Sequence, residues 1–364
     1  RLNYSYKGKY LLSISSRWDG ASVLAEGNKW DVFPAAAAAW RISDEGFMQN
    51  QKTISNLKLR LSYGVTGNAG AAEYATLDFS RTGVFGFQDV SVPYSGYSKN
   101  IANLDLGWEK SYSWNVGLDL GLWKDRVSIT ADWYRTDTKD ILYQKTLPYA
   151  TGGYGGSAFS IWSNIGESRN TGVELTINSR NFVGPKFKWN TTLTFAMNKE
   201  EVLKTSSTGP LEFGDYYLIP GESMHTYYDY KYMGIWGTDE AEEAAKYGQK
   251  PGDVHVLDFN NDGKLSVDDY QILGSATPAW TASLSNNFSY KNFDLNVLLI
   301  ARWDYTLYYG ITGWYRTDGL NPSPKVCDYW TPENQNARYP RPNMDQSGPV
   351  DYQPSIDYYD GSYL

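Results

Sequence analysis

Trp114-Asn115-Val116-Gly117-Leu118-Asp119-Leu120-Gly121-Leu122, a turn at Lys124-Asp125, then Val127-Ser128-Ile129-Thr130-Ala131-Asp132-Trp133: apolar and polar residues alternate on both sides of the turn. Period two is the mark of a β-strand whose two faces meet different surroundings. A two-residue Lys124-Asp125 turn predicts that Leu122 pairs with Val127, Leu120 with Ile129 and Leu118 with Ala131. One face of this hairpin is then continuously apolar, with Trp114 and Trp133 near its far end, and the other is small and polar. The fold turns on whether that apolar face meets a protein core or lipid.

The same pattern recurs along the chain. Leu2, Tyr4 and Tyr6 face Tyr10, Leu12 and Ile14 across Lys7-Gly8-Lys9, a three-residue turn that suits a hairpin. Val173, Leu175 and Ile177 lead through Gly184-Pro185 to Trp189, Leu193, Phe195 and Met197. Trp280, Leu284 and Phe288 oppose Trp303, Leu299 and Leu295 across Lys291-Asn292. Single strands near Trp30–Ile42 and Leu57–Tyr63 bring the total to about ten. Connections near 7–9, 124–125, 182–186 and 291–292 are tight and 43–56 is moderate, whereas 19–29, 65–110, 144–170, 199–279 and the stretch from 305 onward are mostly long. A β-sandwich has no reason to gather its long loops at one end. Outer-membrane barrels do, with short periplasmic turns and long extracellular loops. The expected class is therefore all-β, an antiparallel transmembrane β-barrel. The one helical passage, with capping-box spacing at Asp239 and Glu242, is expected to ornament the 199–279 loop.

Composition narrows the function. The 364 residues are 41% hydrophobic and 16% aromatic, with a net charge of −8 that argues against nucleic acid. Cys327 is the single cysteine, so an intrachain disulfide and a cysteine-based zinc site are excluded. His225 and His255 stand thirty residues apart and read as structural or solvated rather than as ligands. No apolar run approaches the ~18 residues of a transmembrane helix. Gly64-Val65-Thr66-Gly67-Asn68-Ala69-Gly70 reads as a glycine-rich loop, since no βαβ unit follows it, and Gly152–Gly156 reads likewise. Tyr227–Tyr230, Tyr305, Tyr308, Tyr309, Trp314-Tyr315 and Tyr329-Trp330 are expected to pack loops or girdle a rim rather than stack on sugars. No Ser-His-Asp or Cys-His set stands out, so no enzymatic activity is expected.

The sharpest local motif is Asp258-Phe259-Asn260-Asn261-Asp262-Gly263-Lys264-Leu265-Ser266-Val267-Asp268-Asp269. Oxygen side chains fall at loop positions 1, 3, 5, 9 and 12 with glycine at 6, the spacing of an EF-hand loop. Asp258, Asn260, Asp262, the Lys264 carbonyl and Asp269 are the expected ligands of a structural Ca2+. Asp269 is one carbon shorter than the usual glutamate, and no clear helix precedes the loop. An Asx-rich loop ordered by its own hydrogen bonds is the competing reading.

Several segments together resemble one family. They are Phe33-Pro34 with Trp40 to Glu45, Leu57 to Gly64 ending in Thr66-Gly67-Asn68, Asn103 to Lys110, and Asn164-Ile165-Gly166 with Asn170 to Leu175. Pro251-Gly252-Asp253 to Asp269 and Tyr329-Trp330-Thr331-Pro332-Glu333-Asn334 complete the set. In this shared order the chain resembles the SusC/RagA-like TonB-dependent outer-membrane transporters. The resemblance implies a plug inside a 22-stranded barrel, an SusD-like surface lipoprotein as lid, and import of oligosaccharides or peptides powered by TonB-ExbB-ExbD. Residues 1–364 then correspond to the later part of the barrel, without plug, TonB box or closing strands, and 199–279 to a long extracellular loop region. The location implied is the outer membrane of a Gram-negative bacterium. A different class, a soluble, calcium-stiffened, cell-surface carbohydrate-binding β module, is the alternative. On the barrel reading Leu118 and Ala131 touch lipid, Asn115, Asp119, Thr130 and Asp132 face the lumen, and the Lys124-Asp125 turn lies at the periplasmic rim.

Overall fold

The computed structural model describes residues 1–77, 80–87, 89–97, 100–151, 153–154, 157–207, 209–310, 328–342 and 352–364. Ten strands form one sheet: β1 (Leu2–Tyr6), β2 (Tyr10–Gly20), β3 (Trp30–Arg41), β4 (Ile54–Asn68), β5 (Glu109–Leu122), β6 (Val127–Lys139), β7 (Glu167–Val183), β8 (Phe187–Lys204), β9 (Trp280–Tyr290) and β10 (Phe293–Trp303). Each lies beside its neighbour in the chain, so the sheet is a meander with no crossover, and β1 and β10 are its edges among the described residues. The pairings from β1 through β8 are all antiparallel. These are the strands that period-two alternation predicts, and the register agrees as well. Leu122 pairs with Val127, Leu120 with Ile129, Leu118 with Ala131, and Tyr6 with Tyr10.

The turn between β5 and β6 differs from the prediction. Four residues, Trp123 to Arg126, separate the paired ends, and the Arg126 amide closes onto the Leu122 carbonyl at 2.9 Å. Trp123, Lys124 and Asp125 all lie in the left-handed region, at φ 52, 57 and 57°. Left-handed backbone is costly for residues with a Cβ, so neighbouring chains hold it in place. Ser55 donates to Asp125 at 2.7 Å and accepts from the Asp125 amide at 2.9 Å, while the Arg126 guanidinium donates to the carbonyls of Arg180 and Asn181.

Two further expectations are corrected. Gly64–Asn68 is strand rather than loop, because β4 continues to Asn68 against β5. Glycine is required at 67, where a Cβ would run into the rings of Phe33 and Trp108. The helix is Ala241–Lys246, but the capping box lies two residues earlier than Asp239 and Glu242 suggest. Extended Gly237 leads into a 3-10 turn, and the Glu240 carboxylate accepts from the Gly237 amide at 2.8 Å.

The chain divides into two compact units. Arg1–Gly209, Ile219–Glu222 and Thr281–Ile300 form the first, which holds most of the large sheet. Its long-loop side has a small core of Leu24, Ala25, Ala75 and Leu106, flanked by Trp108, Leu142 and Trp162. Asn164 fixes this core by accepting from the Gly107 amide at 2.7 Å and donating to the Gly107 carbonyl at 2.9 Å. The 65–110 connection also forms a hairpin, Ser80–Phe87 with Val90–Tyr97. Pro210–Leu218, Ser223–Trp280 and Ala301–Leu364 form the second unit, a set of short sheets around Val254, Val256, Tyr352 and Ile356.

At the tight-turn end of the first unit, Glu45 ties the β2–β3 hairpin to the next connection. Its carboxylate accepts from the Tyr10 hydroxyl at 2.6 Å, the Trp40 indole at 3.1 Å and the Lys9 ammonium at 3.1 Å. These donors, the Tyr10 hydroxyl first, hold the Glu45 pKa down at about 2. A depressed carboxylate pKa contributes stability that is complete above the unfolded value and is lost as pH falls through the folded one. The knot is therefore expected to weaken as pH drops from about 4.5 toward about 2. Glu45→Gln should flatten acid sensitivity in that window, measured as the midpoint of acid unfolding.

Candidate functional site: a two-faced sheet and its polar ladder

Cross-strand partners share a face, so the register assigns every side chain of the sheet. One face carries the rows Leu57–Leu120–Ile129–Ile177–Leu193, Leu59–Leu118–Ala131–Leu175–Phe195 and Leu61–Val116–Trp133–Val173–Met197. No charge interrupts these rows. Their large side chains stay open to the surroundings; Leu61, Val116, Trp133 and Met197 are all about 40–50% exposed. Eight residues separate Leu122 from Trp114, or roughly 27 Å along the strand and about 21 Å across a bilayer at a tilt of ~40°. A lipid-facing band is ~25 Å tall and is flanked by aromatic girdles. Here the long-loop edge bears Trp18 against Trp30 (5.2 Å) and Tyr63 against Trp114 (4.5 Å). The tight-turn edge bears Tyr6, Tyr10 and Trp40, Phe182 with Phe187, and Trp189 with Phe288. An apolar band left open and bounded in this way is lipid-facing. Strand β10 departs from the two-faced pattern, since Leu298 and Ile300 place apolar chains on the other face too.

The opposite face is a polar ladder. The Arg60 guanidinium on β4 donates twice to Asp119 on β5, at 3.0 and 3.1 Å, and once to Asp132 on β6 at 2.9 Å. Gly117 lies between Arg60 and Asp132 in the register. A Cβ there would meet both groups at 2.5 Å, so glycine lets the guanidinium cross the intervening strand. Ser111 with Thr138 and Ser113 with Thr136 continue the ladder at 2.9 Å each. Toward β8, the Tyr134 hydroxyl donates to Asn198 at 2.9 Å by passing over Gly172. A Cβ on Gly172 would collide with that hydroxyl and approach the Met197 carbonyl oxygen to 2.7 Å. Gly172→Ala is therefore expected to cost about 1–3 kcal/mol by overpacking, measured by denaturant unfolding in detergent.

Asp258, Asn260 and Asp262 come together in one turn, with Gly263 at φ +77°. The Asp258 carboxylate accepts from the amides of Asp262 and Gly263, and Asp262 accepts from the Lys264 amide at 2.8 Å. Asp269 is fully buried and turned onto the loop backbone, accepting from Phe259 at 3.0 Å and Ser266 at 2.8 Å. Among the described residues, no three His, Cys, Asp or Glu side chains converge as a metal-holding group.

The second unit uses its aromatics as core. Tyr227 meets Tyr216, Tyr308 and Tyr358, and Tyr230 meets Tyr270 and Tyr352. Burial pushes the hydroxyls of Tyr227, Tyr230 and Tyr270 up to about 12, so they remain proton donors. Burial also raises the pKa of Asp229, which accepts from the Tyr358 hydroxyl at 3.0 Å. His255 stacks on Trp236 at 3.6 Å, and burial lowers its pKa. Gly252, at φ +90°, lies against Trp330 and Arg341, and the Arg341 guanidinium donates to Asp253 at 2.8 Å. Trp314-Tyr315 and Cys327 lie outside the described residues.

Comparison with known proteins agrees with this geometry. The family model for the TonB dependent receptor-like β-barrel matches residues 1–345. The chain belongs to that family. It is therefore an outer-membrane protein of a Gram-negative bacterium, and the apolar band is its lipid face. The soluble-module alternative is set aside. TonB-dependent receptor P3 of Formosa agariphila is 33% identical over the whole of this chain and 37% of its own length. TonB-dependent receptor SusC of Bacteroides thetaiotaomicron is 29% identical over 85% of this chain and 31% of its own length. Among solved structures, the RagAB peptide transporter superposes with a TM-score of 0.77 at 22% identity, over 99% of this chain and 39% of that one. The chain thus spans well under half of the relatives it matches.

Of the residues that the barrel reading assigns to the lumen, Asp119 and Asp132 meet at Arg60, Thr130 is the cross-strand partner of Asp119, and Asn115 lies on the same face in the row beyond Gly117 and Asp132. Arg60 itself escaped the sequence reading. Its signal was available, because Lys58, Arg60 and Ser62 alternate with Leu57, Leu59 and Leu61.

Proposed function

We propose that the full receptor containing this chain imports oligosaccharides or peptides across the outer membrane, with an SusD-like surface lipoprotein as lid and TonB-ExbB-ExbD as the energy source. The observation that carries this reading is the two-faced meander itself. A lipid-facing band backed by a hydrogen-bonded polar wall suits a barrel that encloses a water-filled or plugged lumen. The fold shared with the RagAB peptide transporter supports the peptide class, and the resemblance to SusC/RagA-like transporters adds the oligosaccharide class. The tight turns then lie on the periplasmic side, and of the expected 199–279 loop region residues 199–204 complete β8 while 205–279 belong to the extracellular loops. Transport is conformational on this reading and needs no catalytic group. Pull-down of the full receptor from its outer membrane, followed by glycan and peptide binding screens on the complex, tests it. A co-purifying lipoprotein and a retained ligand are expected. A receptor that is isolated alone and binds neither class contradicts the proposal.

The 258–269 loop is further proposed to take a structural Ca2+ through Asp258, Asn260, Asp262 and the Lys264 carbonyl, with Asp269 anchoring the loop. Hard oxygen donors and the left-handed Gly263 support this. A bound ion would neutralise the clustered Asp258 and Asp262 carboxylates, take the Asn260 amide oxygen as a further donor, and stiffen the loop. Calcium at about 100 times its Kd should stabilise the folded loop by roughly 2.7 kcal/mol. Thermal unfolding should accordingly shift down in EDTA for the wild type and not for Asp258→Ala. A wild-type transition indifferent to EDTA contradicts the site.

A further inference from the structure

The outward face holds one more ordered feature, at the edge of the apolar band. The first row beyond the uncharged rows reads Tyr63–Trp114–Arg135–Thr171–Lys199 across five adjacent strands. It contains two cations, two aromatic rings and no acid. The carboxylates begin one row farther out, in Val65–Tyr112–Asp137–Arg169–Glu201. Asp137 is shared, accepting from Arg135 at 2.8 Å and from Arg169 at 2.6 Å. Two guanidiniums on one carboxylate leave a net positive charge, with N–H donors to spare. Lys199 stands 3.7 Å from Glu201 and its side chain is 73% exposed. Lys139 reaches over the Tyr112 ring at 6.0 Å.

Height decides what this row meets. It lies at the aromatic girdle on the long-loop side, where acyl chains end and headgroups begin. Cations placed at that level, with their acids held farther outward, complement an anion fixed just above the hydrocarbon. We infer that Arg135, Arg169 and Lys199 form a docking site on the barrel exterior for a phosphate of an outer-leaflet glycolipid. Arginine suits this role, since its fork pairs bidentately with phosphate oxygens. Asp137 is a positioning residue that holds the two guanidiniums beside each other.

The test uses the full receptor in nanodiscs of phosphatidylcholine doped with phosphorylated or dephosphorylated lipid A, with bound lipid counted by native mass spectrometry. Wild type should retain the phosphorylated lipid about tenfold more strongly, and Arg135→Gln with Lys199→Gln should remove that preference. Folding of the variant is checked by heat-modifiable gel mobility, and ligand import is expected to stay unchanged. Loss of lipid is thereby read separately from loss of transport. Equal retention of the two lipids by wild type overturns the inference without reference to any variant. A preference that survives in the folded variant also overturns it. Displacement of the lipid by millimolar inorganic phosphate would assign the row to free anions instead, which is a third contrary result.

Discussion

Leu118→Arg is expected to destabilise the barrel by about 2–4 kcal/mol, close to the cost of a cation at the bilayer midplane. Leu118 stands between Leu59 and Ala131 in the middle of the uncharged rows, two rows from Trp114 and two from Leu122. A guanidinium there has a long climb to either headgroup region. Asp119→Asn, one residue away on the polar face, offers a contrast. It leaves Arg60 bonded to Asp132 and should cost roughly 0.5–1.5 kcal/mol, since only one charged partner becomes neutral. Urea-driven folding into lipid vesicles measures both. Similar losses at the two positions would mean that the faces are not divided between lipid and lumen.

Leu106→Ala should cost about 2–5 kcal/mol through lost burial and an unfilled cavity. Leu106 is fully buried among Leu24, Ala25 and Ala75, and its carbonyl accepts from the Ala25 amide at 3.0 Å. The loss falls on the long-loop side, where three separate connections meet. Protease cleavage within 65–110 should accelerate before the sheet itself opens. A cleavage rate equal to wild type would show that this cluster is not what orders the loops.

The large sheet was legible because each strand repeats one local rule. Leu120 opposite Ile129 follows from alternation plus a hairpin, without long-range information, whereas Leu59 opposite Leu118 is joined across the long 65–110 connection and only the structure pairs them. Turn conformation was less legible. Three consecutive left-handed residues at 123–125 persist through Ser55, Arg180 and Asn181, which lie far away in sequence. Gly64–Asn68 looked like a loop because glycine clusters usually mark one. Here Gly67 provides room for Phe33 and Trp108. The resemblance segments gained physical reasons. Trp40 and Glu45 share a hydrogen bond, Asn164 clamps Gly107, and Gly252 seats Trp330. The short sheets of the second unit, built from strands of three to five residues such as Tyr216–Leu218 and Gln271–Ser275, carry too little alternation to be read ahead of the structure.

Spin labels placed singly from Asn115 to Gly121 in the full receptor, with Cys327 replaced by serine, test the central assignment most directly. Collision with oxygen reports lipid, and collision with a water-soluble nickel chelate reports the lumen. A strict period of two is predicted, with Val116, Leu118 and Leu120 accessible to oxygen and Asn115, Gly117, Asp119 and Gly121 accessible to nickel or shielded from both. The same accessibility along all seven positions, or oxygen contact at Asp119 in place of Leu118, would contradict it.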